Sequence, residues 1–243
     1  MNVESLPLVS ICTPTFNRRQ FIPLIIKCVE HQDYPKDKIE WIIVDDGSDK
    51  IFDLVCDLKF VKIKYVRLER KTPLGKKRNI CHRYCVGKII INMDDDDYYP
   101  EERISHAVYT LYNTPKALCA GSSKLFTYFS HINKIYKFGP YGKNHSTAAT
   151  FAFKRELLLQ TAYDDNSYIA EEKFFLKNYT IPFVQLNSIK TILVFSHPYN
   201  SFDKNVLLEP QNKNSLVTET DLTLKMFIPN HEFKKLYIPI LSP

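Results

Sequence analysis

The run Ile89-Ile90-Ile91-Asn92-Met93 carries no charge at any position and is followed at once by Asp94, Asp95, Asp96 and Asp97. Side chains alternate between the two faces of a strand, so an unbroken β-branched run belongs to a strand buried on both faces. The aspartates then stand where that strand leaves the sheet. Like charges held so closely repel, and a cation would relieve them. On an extended chain Asp94 and Asp96 point the same way and would face one metal ion, with Asp95 turned elsewhere. Oxygen donors of this kind suit Mg²⁺ or Mn²⁺. The alternative is a solvated acidic turn, closed by Tyr98, Tyr99 and Pro100, that leads into a helix at Glu101 and Glu102.

Further short apolar runs at residues 8–13, 40–45 and 61–67, with the run at 88–93, alternate with amphipathic stretches at 18–31, 50–58 and 74–86. Strand–helix alternation of this kind predicts an α/β fold, a mostly parallel central sheet flanked by helices, with ligands beyond the carboxyl ends of the strands. After Pro100 the pattern becomes α+β. It predicts a helix at 101–112, a strand at 117–120, a hairpin within 124–138, a strand at 150–153 and short helices at 154–160 and 171–178. Strands at 183–186 and 191–196 follow, and an amphipathic segment at 221–227.

At 243 residues the chain is expected to form one domain: a ligand-binding half at 1–100, a second half at 101–200 and a tail at 201–243. No apolar stretch is long enough to cross a bilayer, and Met1 to Pro7 lacks the basic start of a secretory signal, so a cytoplasmic protein starting at Met1 is expected. The six cysteines have no zinc-site spacing and read as reduced core thiols. A net charge of +6 spread over scattered lysines gives no nucleic-acid stripe and suits an anionic small substrate. Nothing in the sequence sets an oligomeric state.

Each strand ends in a polar signature. Thr13-Pro14-Thr15-Phe16-Asn17 combines a fixed turn, a flat apolar ring and a helix-capping amide. Asp45-Asp46-Gly47-Ser48 sends two carboxylates toward the same crevice. Gly75-Lys76-Lys77-Arg78-Asn79 opens a helix with three cations, either a diphosphate site or a solvated basic face. With the aspartate run, these supply an aromatic for a base, cations for phosphates and acids for a metal.

These motifs, in this order, resemble the GT-A fold glycosyltransferases of family 2. Residues 9–17 look like that family's opening strand and nucleotide loop, 43–48 like its second motif, 75–79 like its G-x-x-x-R-N segment and 93–100 like its D-x-D stretch. The resemblance implies a GT-A (Rossmann-like) sheet with a smaller α+β acceptor-side half. It further implies that Asp45 and residues 13–16 bind the nucleotide base and that Asp46 lies near the ribose. Asp94 would lie near ribose and sugar and Asp96 would hold the metal with help from Asp97. The family's base belongs to a Glu-Asp pair opening a helix, and the matching pair here is Glu171-Glu172. Glu172 stands in the Asp place, Asp164 and Asp165 are reserves, and two glutamates that merely complement a helix dipole are the alternative. His197-Pro198-Tyr199-Asn200-Ser201 is similar to a His-x-x-Asn-x-Ser tail that lies near the diphosphate or metal. The aromatic stretch 126–141, with Gly139 and Gly142 as hinges, is expected to be an acceptor wall or lid.

The function so implied is a metal-dependent inverting transfer of sugar from a nucleotide diphosphate sugar, UDP-sugar foremost, to a hydroxyl of a glycan or glycoconjugate. Mn²⁺ or Mg²⁺ would be the cofactor. A sugar-phosphate nucleotidyltransferase, usually marked by a glycine-rich loop absent from residues 13–18, and a noncatalytic sugar-nucleotide- or glycan-binding module are the competing readings.

Overall fold

A computed structural model describes residues 3–169, 171–200, 202–209 and 215–241. Ser201, the last position of the tail motif, and the polar stretch 210–214 therefore lie outside the described residues, as do Met1 and Asn2. In chain order the first half comprises β1 (Val9–Thr15), α1 (Ile22–Glu30), β2 (Ile39–Asp45), α2 (Phe52–Val55), β3 (Lys62–Arg67), α3 (Leu74–Tyr84) and β4 (Ile89–Asn92). There follow α4 (Arg103–Asn113), β5 (Cys119–Gly121), β6 (Leu125–Phe129), β7 (Lys134–Phe138), β8 (Ala152–Lys154) and α5 (Glu172–Phe175). The chain ends with β9 (Phe183–Gln185), β10 (Val194–Ser196), β11 (Val217–Glu219), α6 (Leu224–Phe227) and α7 (His231–Leu241).

Seven strands form one sheet in the order β3-β2-β1-β4-β8-β5-β9. β1 to β4 are mutually parallel, whereas β8 runs antiparallel to both β4 and β5. The period of two sorts the core. Ile11, Ile43, Ile89 and Ile91 pack on the face covered by α1 and α4, while Cys12, Ile42, Val44 and Ile90 pack on the other face with Cys81 of α3 and the ring cluster Phe151, Phe153 and Phe175. A four-stranded sheet, β10-β6-β7-β11, carries the predicted hairpin, whose turn uses Asn133 in the left-handed region at φ 50°.

The departures from expectation have local causes. β1 runs through Pro14 because β4 pairs with it only as far as Cys12, so no neighbour on that side needs the missing N–H. The segment expected as a helix at 171–178 is helical only to Phe175, since Lys177, Asn178 and Tyr179 all take positive φ. Five cysteines are buried and Cys56 is exposed. Among the described residues no helix is long and apolar enough to cross a membrane.

Candidate active site

Where β1 and β4 end, a cleft of about 330 Å³ opens between Pro14 and Phe16 on one wall and Asp94, Asp95 and Asp96 on the other. Arg18, Lys71 and Lys77 bring positive charge to its rim, and Tyr199 reaches it from the tail.

The aspartate run is not extended. The strand stops at Asn92 and the chain turns through Asp95 and Asp96, so the expected sharing of one face by Asp94 and Asp96 gives way to divergent partners. Asp94 takes a fork from Arg78, Nη1 to Oδ1 at 2.9 Å and Nη2 to Oδ2 at 3.0 Å, and its backbone N–H donates to the Tyr99 hydroxyl at 2.6 Å. Asp96 Oδ2 lies 3.4 Å from His197 Nε2, 3.3 Å from the Asn200 amide nitrogen and 3.7 Å from Arg18 Nη2. Burial pushes the Asp96 carboxyl up, but His197, Lys204 and Arg18 outweigh it and hold the group below the usual carboxylate range. Asp95, expected to turn elsewhere, is buried, with Oδ1 3.9 Å from Arg18 and Oδ2 without a partner. Burial, reinforced by Asp96, pushes it up to about 8. Asp97 does not face the cleft. Its Oδ1 accepts the Phe195 N–H at 3.1 Å, and burial raises it well above the carboxylate range. Next to it Tyr98 and Leu193 exchange backbone hydrogen bonds of 3.1 and 2.9 Å, which brings the His197 tail to the run.

Arg78 joins the two halves. Buried in α3, it holds Asp94 with its two terminal nitrogens and Glu171 with Nε at 2.7 Å, so all three nitrogens meet carboxylates and the side chain, expected to bind phosphates, does not line the cleft. Glu171 is buried in this pair, while Glu172 is only partly buried, and burial followed by the Glu171 charge raises its carboxyl above the ordinary value. The reserves are engaged elsewhere: Asp165 accepts the Asn79 amide at 2.7 Å and Asp164 caps the Asn166 N–H at 2.9 Å, both in a loop docked on α3.

The second strand end is largely self-satisfied. Asp45 is fully buried and accepts from the Gly47 and Ile51 N–H groups and the Tyr65 hydroxyl at 2.8, 3.0 and 2.5 Å, which shapes the loop before α2, and it is not among the residues lining the cleft. Asp46 accepts the Thr72 N–H at 2.6 Å and Lys77 Nζ at 2.8 Å. Thr13 bridges Trp41 Nε1 and the Met93 carbonyl inside the sheet, Thr15 is buried with an unpartnered hydroxyl, and Asn17 accepts the Asp49 N–H at 3.1 Å. The ring of Phe16 carries Lys71 Nζ 4.8 Å above its centroid and Lys77 Nζ at 5.9 Å. Lys76 points to solvent and Lys77 lines the cleft, because Lys77 lies three residues beyond Leu74, which also lines it, and Lys76 lies most of half a turn away. Arg18, Lys71 and Tyr199 are cleft residues not singled out from sequence as ligands, and Lys77 was not set apart from Lys76. Helical phase from Leu74 would have picked Lys77.

Among the described residues no three metal-ligating side chains converge. Asp96 Oδ2 and His197 Nε2, 3.4 Å apart, are a two-donor set, and burial keeps the histidine below its ordinary pKa, hence neutral at neutral pH. One or two side chains completed by phosphate oxygens and water is the usual way Mg²⁺ is held at a diphosphate, so the residues fit such an ion.

Residues 10–171 match the model of glycosyl transferase family 2. The chain is 30% identical over 101 residues to the poly(ribitol-phosphate) beta-N-acetylglucosaminyltransferase TarS of Staphylococcus aureus, covering 40% of this chain and 18% of that one. It is 35% identical over 102 residues to the putative colanic acid biosynthesis glycosyl transferase WcaA of Escherichia coli, covering 41% and 36%. The chain thus matches well under half the length of these relatives. Among solved structures it resembles S. aureus TarS 1-349 in complex with UDP-GlcNAc (TM-score 0.65, 18% identity, 79% of this chain and 59% of that one). It also resembles the mannosyltransferase PcManGT of Pyrobaculum calidifontis in complex with GDP-Man and Mn²⁺ (TM-score 0.65, 17% identity, 82% and 59%). The motifs, the seven-stranded sheet and the family match agree: the chain belongs to glycosyl transferase family 2 and has its GT-A fold.

Proposed function

We propose that the protein transfers a sugar, with inversion and with the aid of a divalent metal, from a UDP-sugar to a hydroxyl of a glycan or glycoconjugate. The observation that carries the reading is the Arg78 clamp, which fixes Asp94 at the donor cleft and Glu171 beside the candidate base in one arrangement. The nucleotide lies between Phe16 and the aspartate wall, and Lys77 and Lys71 face its phosphates across the cleft. Asp96 with His197 is the pair that would hold Mn²⁺ or Mg²⁺, which supplies positive charge to the departing diphosphate.

Glu172 takes the proton of the acceptor hydroxyl as that oxygen attacks the anomeric carbon from the side opposite the diphosphate. Its raised pKa suits a base that must hold a proton after the step. Arg78 keeps the neighbouring Glu171 occupied, so Glu171 positions rather than accepts. The UDP preference is supported by the likeness to TarS, whose solved complex holds UDP-GlcNAc. Incubation with a panel of nucleotide sugars and Mn²⁺ tests the proposal. Sugar transfer or donor hydrolysis, with a UDP-induced thermal shift that needs metal, is expected. No turnover on any donor together with no UDP shift would refute it.

A further inference from the structure

We infer that Tyr141, His145 and Tyr179 form an acceptor subsite that takes the apolar face of a pyranose ring, a reading that rests on the transferase assignment above. The His145 ring lies between the other two, with centroids 5.0 Å from Tyr141 at 49° and 5.1 Å from Tyr179 at 34°. Tyr141 and His145 belong to none of the buried apolar clusters, and Tyr141 is 45% exposed. Tyr179 anchors one end of the row against the core, and the Tyr141 end is the open face.

The row is rigidly built. The loop between β7 and β8 is held by the Gln185 amide, which donates to the carbonyls of Lys143 at 2.8 Å and His145 at 3.0 Å, and by the Tyr141 N–H bonded to the Ser123 carbonyl at 3.2 Å. Gly139, expected as a hinge, is fixed: its φ is +83°, its N–H bonds the Leu216 carbonyl at 2.9 Å, and a Cβ there would lie 2.2 Å from the Ser123 oxygen. On the other side, Tyr179 is the third of three consecutive residues in the left-handed region, a conformation that a non-glycine residue keeps only where its surroundings impose it. That turn presents the ring to His145, and the Asn144 amide ties the loop to the Tyr179 carbonyl at 3.2 Å.

The row is joined to the candidate base through α5. Tyr179 follows α5, which begins at Glu172, and after burial the Glu172 carboxylate is what raises the Tyr179 phenol. The face of an aromatic ring is electron-rich and attracts the weakly positive C–H groups on the apolar side of a sugar ring. An acyclic polyol offers no such flat side. The acceptor inferred is therefore a cyclic glycan, placed so that one hydroxyl reaches Glu172.

Saturation-transfer NMR on the full chain, with pyranose trisaccharides of glucose, galactose and N-acetylglucosamine and with ribitol 5-phosphate as the acyclic probe, tests this. Ring C–H protons of at least one trisaccharide should receive saturation, Tyr141→Ala should weaken that binding about fivefold and Tyr141→Phe should retain it. Ribitol 5-phosphate should receive none. No saturation of any trisaccharide, undiminished binding in Tyr141→Ala, or equal saturation of ribitol 5-phosphate overturns the inference. The donor panel and the UDP thermal shift, read on the same protein, report separately on the transferase assignment: no turnover and no UDP shift with trisaccharide binding intact refutes that assignment and leaves the sugar-stacking row standing.

Discussion

Removing Arg78 should damage this protein more than removing any single aspartate of the run. The guanidinium side chain is 2% exposed, Glu171 5% and Asp94 21%, so Arg78→Ala strands one deeply buried carboxylate and one partly hydrated one. Breaking a buried pair by deleting one partner costs about 3–5 kcal/mol, and water reaching Asp94 places this case near about 3 kcal/mol. For a chain of this length that is a fall of about 6–12 °C in Tm. Arg78→Lys should recover only part of it, since one ammonium cannot fork onto Asp94 and also reach Glu171. The deficit should shrink as pH falls from 8 to 5: a proton on a stranded carboxyl replaces the missing positive charge, so the variant's folded state binds more protons than its unfolded state and its stability declines as pH rises. Thermal unfolding followed by circular dichroism across that range measures both effects. A Tm for Arg78→Ala within about 2 °C of the parent at pH 7.5 would refute the clamp as an energetic element.

Glu172→Gln should abolish transfer while leaving the UDP thermal shift in place, and the parent's rate should rise with pH through a value above the ordinary glutamate range, because the base must be deprotonated; a rate flat from pH 4 to 8 would count against it. The same raised group makes folding of the parent less favourable above the ordinary glutamate pKa, so Glu172→Gln should gain stability over it at pH 7.5 and not at pH 4, as paired melts would reveal. Lys77→Ala should destabilise by about 1–3 kcal/mol by stranding Asp46, whereas Lys76→Ala, on the solvent side of α3, should change it by less than about 0.5 kcal/mol; equal urea midpoints for the two would undo that distinction. Gly75→Ala would set a Cβ 2.0 Å from the Asp164 carbonyl and push the 163–167 loop off α3, a loss of about 1–3 kcal/mol that urea unfolding would detect.

The first half was readable because its strands are β-branched runs with a single arrangement open to them: Ile89, Ile90 and Ile91 are all buried, alternately on opposite faces. The antiparallel insertion of β8 between β4 and β5 left no mark, since three-residue strands carry too little pattern to give direction. At the site, residue types were legible and their partners were not. A carboxylate after a strand looks the same whether it lines the cleft, as Asp96 does, or is consumed by backbone N–H groups, as Asp45 is. Arg78 read as a phosphate cation because its partner Glu171 lies 93 residues away in sequence. The left-handed turn at Lys177 to Tyr179 went unread because none of its residues is glycine.

The backbone exchange between Tyr98 and Leu193, and the Phe195 N–H held by Asp97 98 residues earlier, also bear on the order in which the molecule can mature. A chain leaving the ribosome has released all four aspartates while the strand that ties them down and the histidine beside Asp96 are still unmade. Until residue 200 emerges, the mutual repulsion of the run is opposed by Arg18 and Arg78 without the help of His197. A prematurely terminated chain can thus contain all of β1 to β4 and still lack His197, the residue proposed to share a metal with Asp96. Completion of the cleft is a late event, set by the tail and not by the sheet on which the cleft stands.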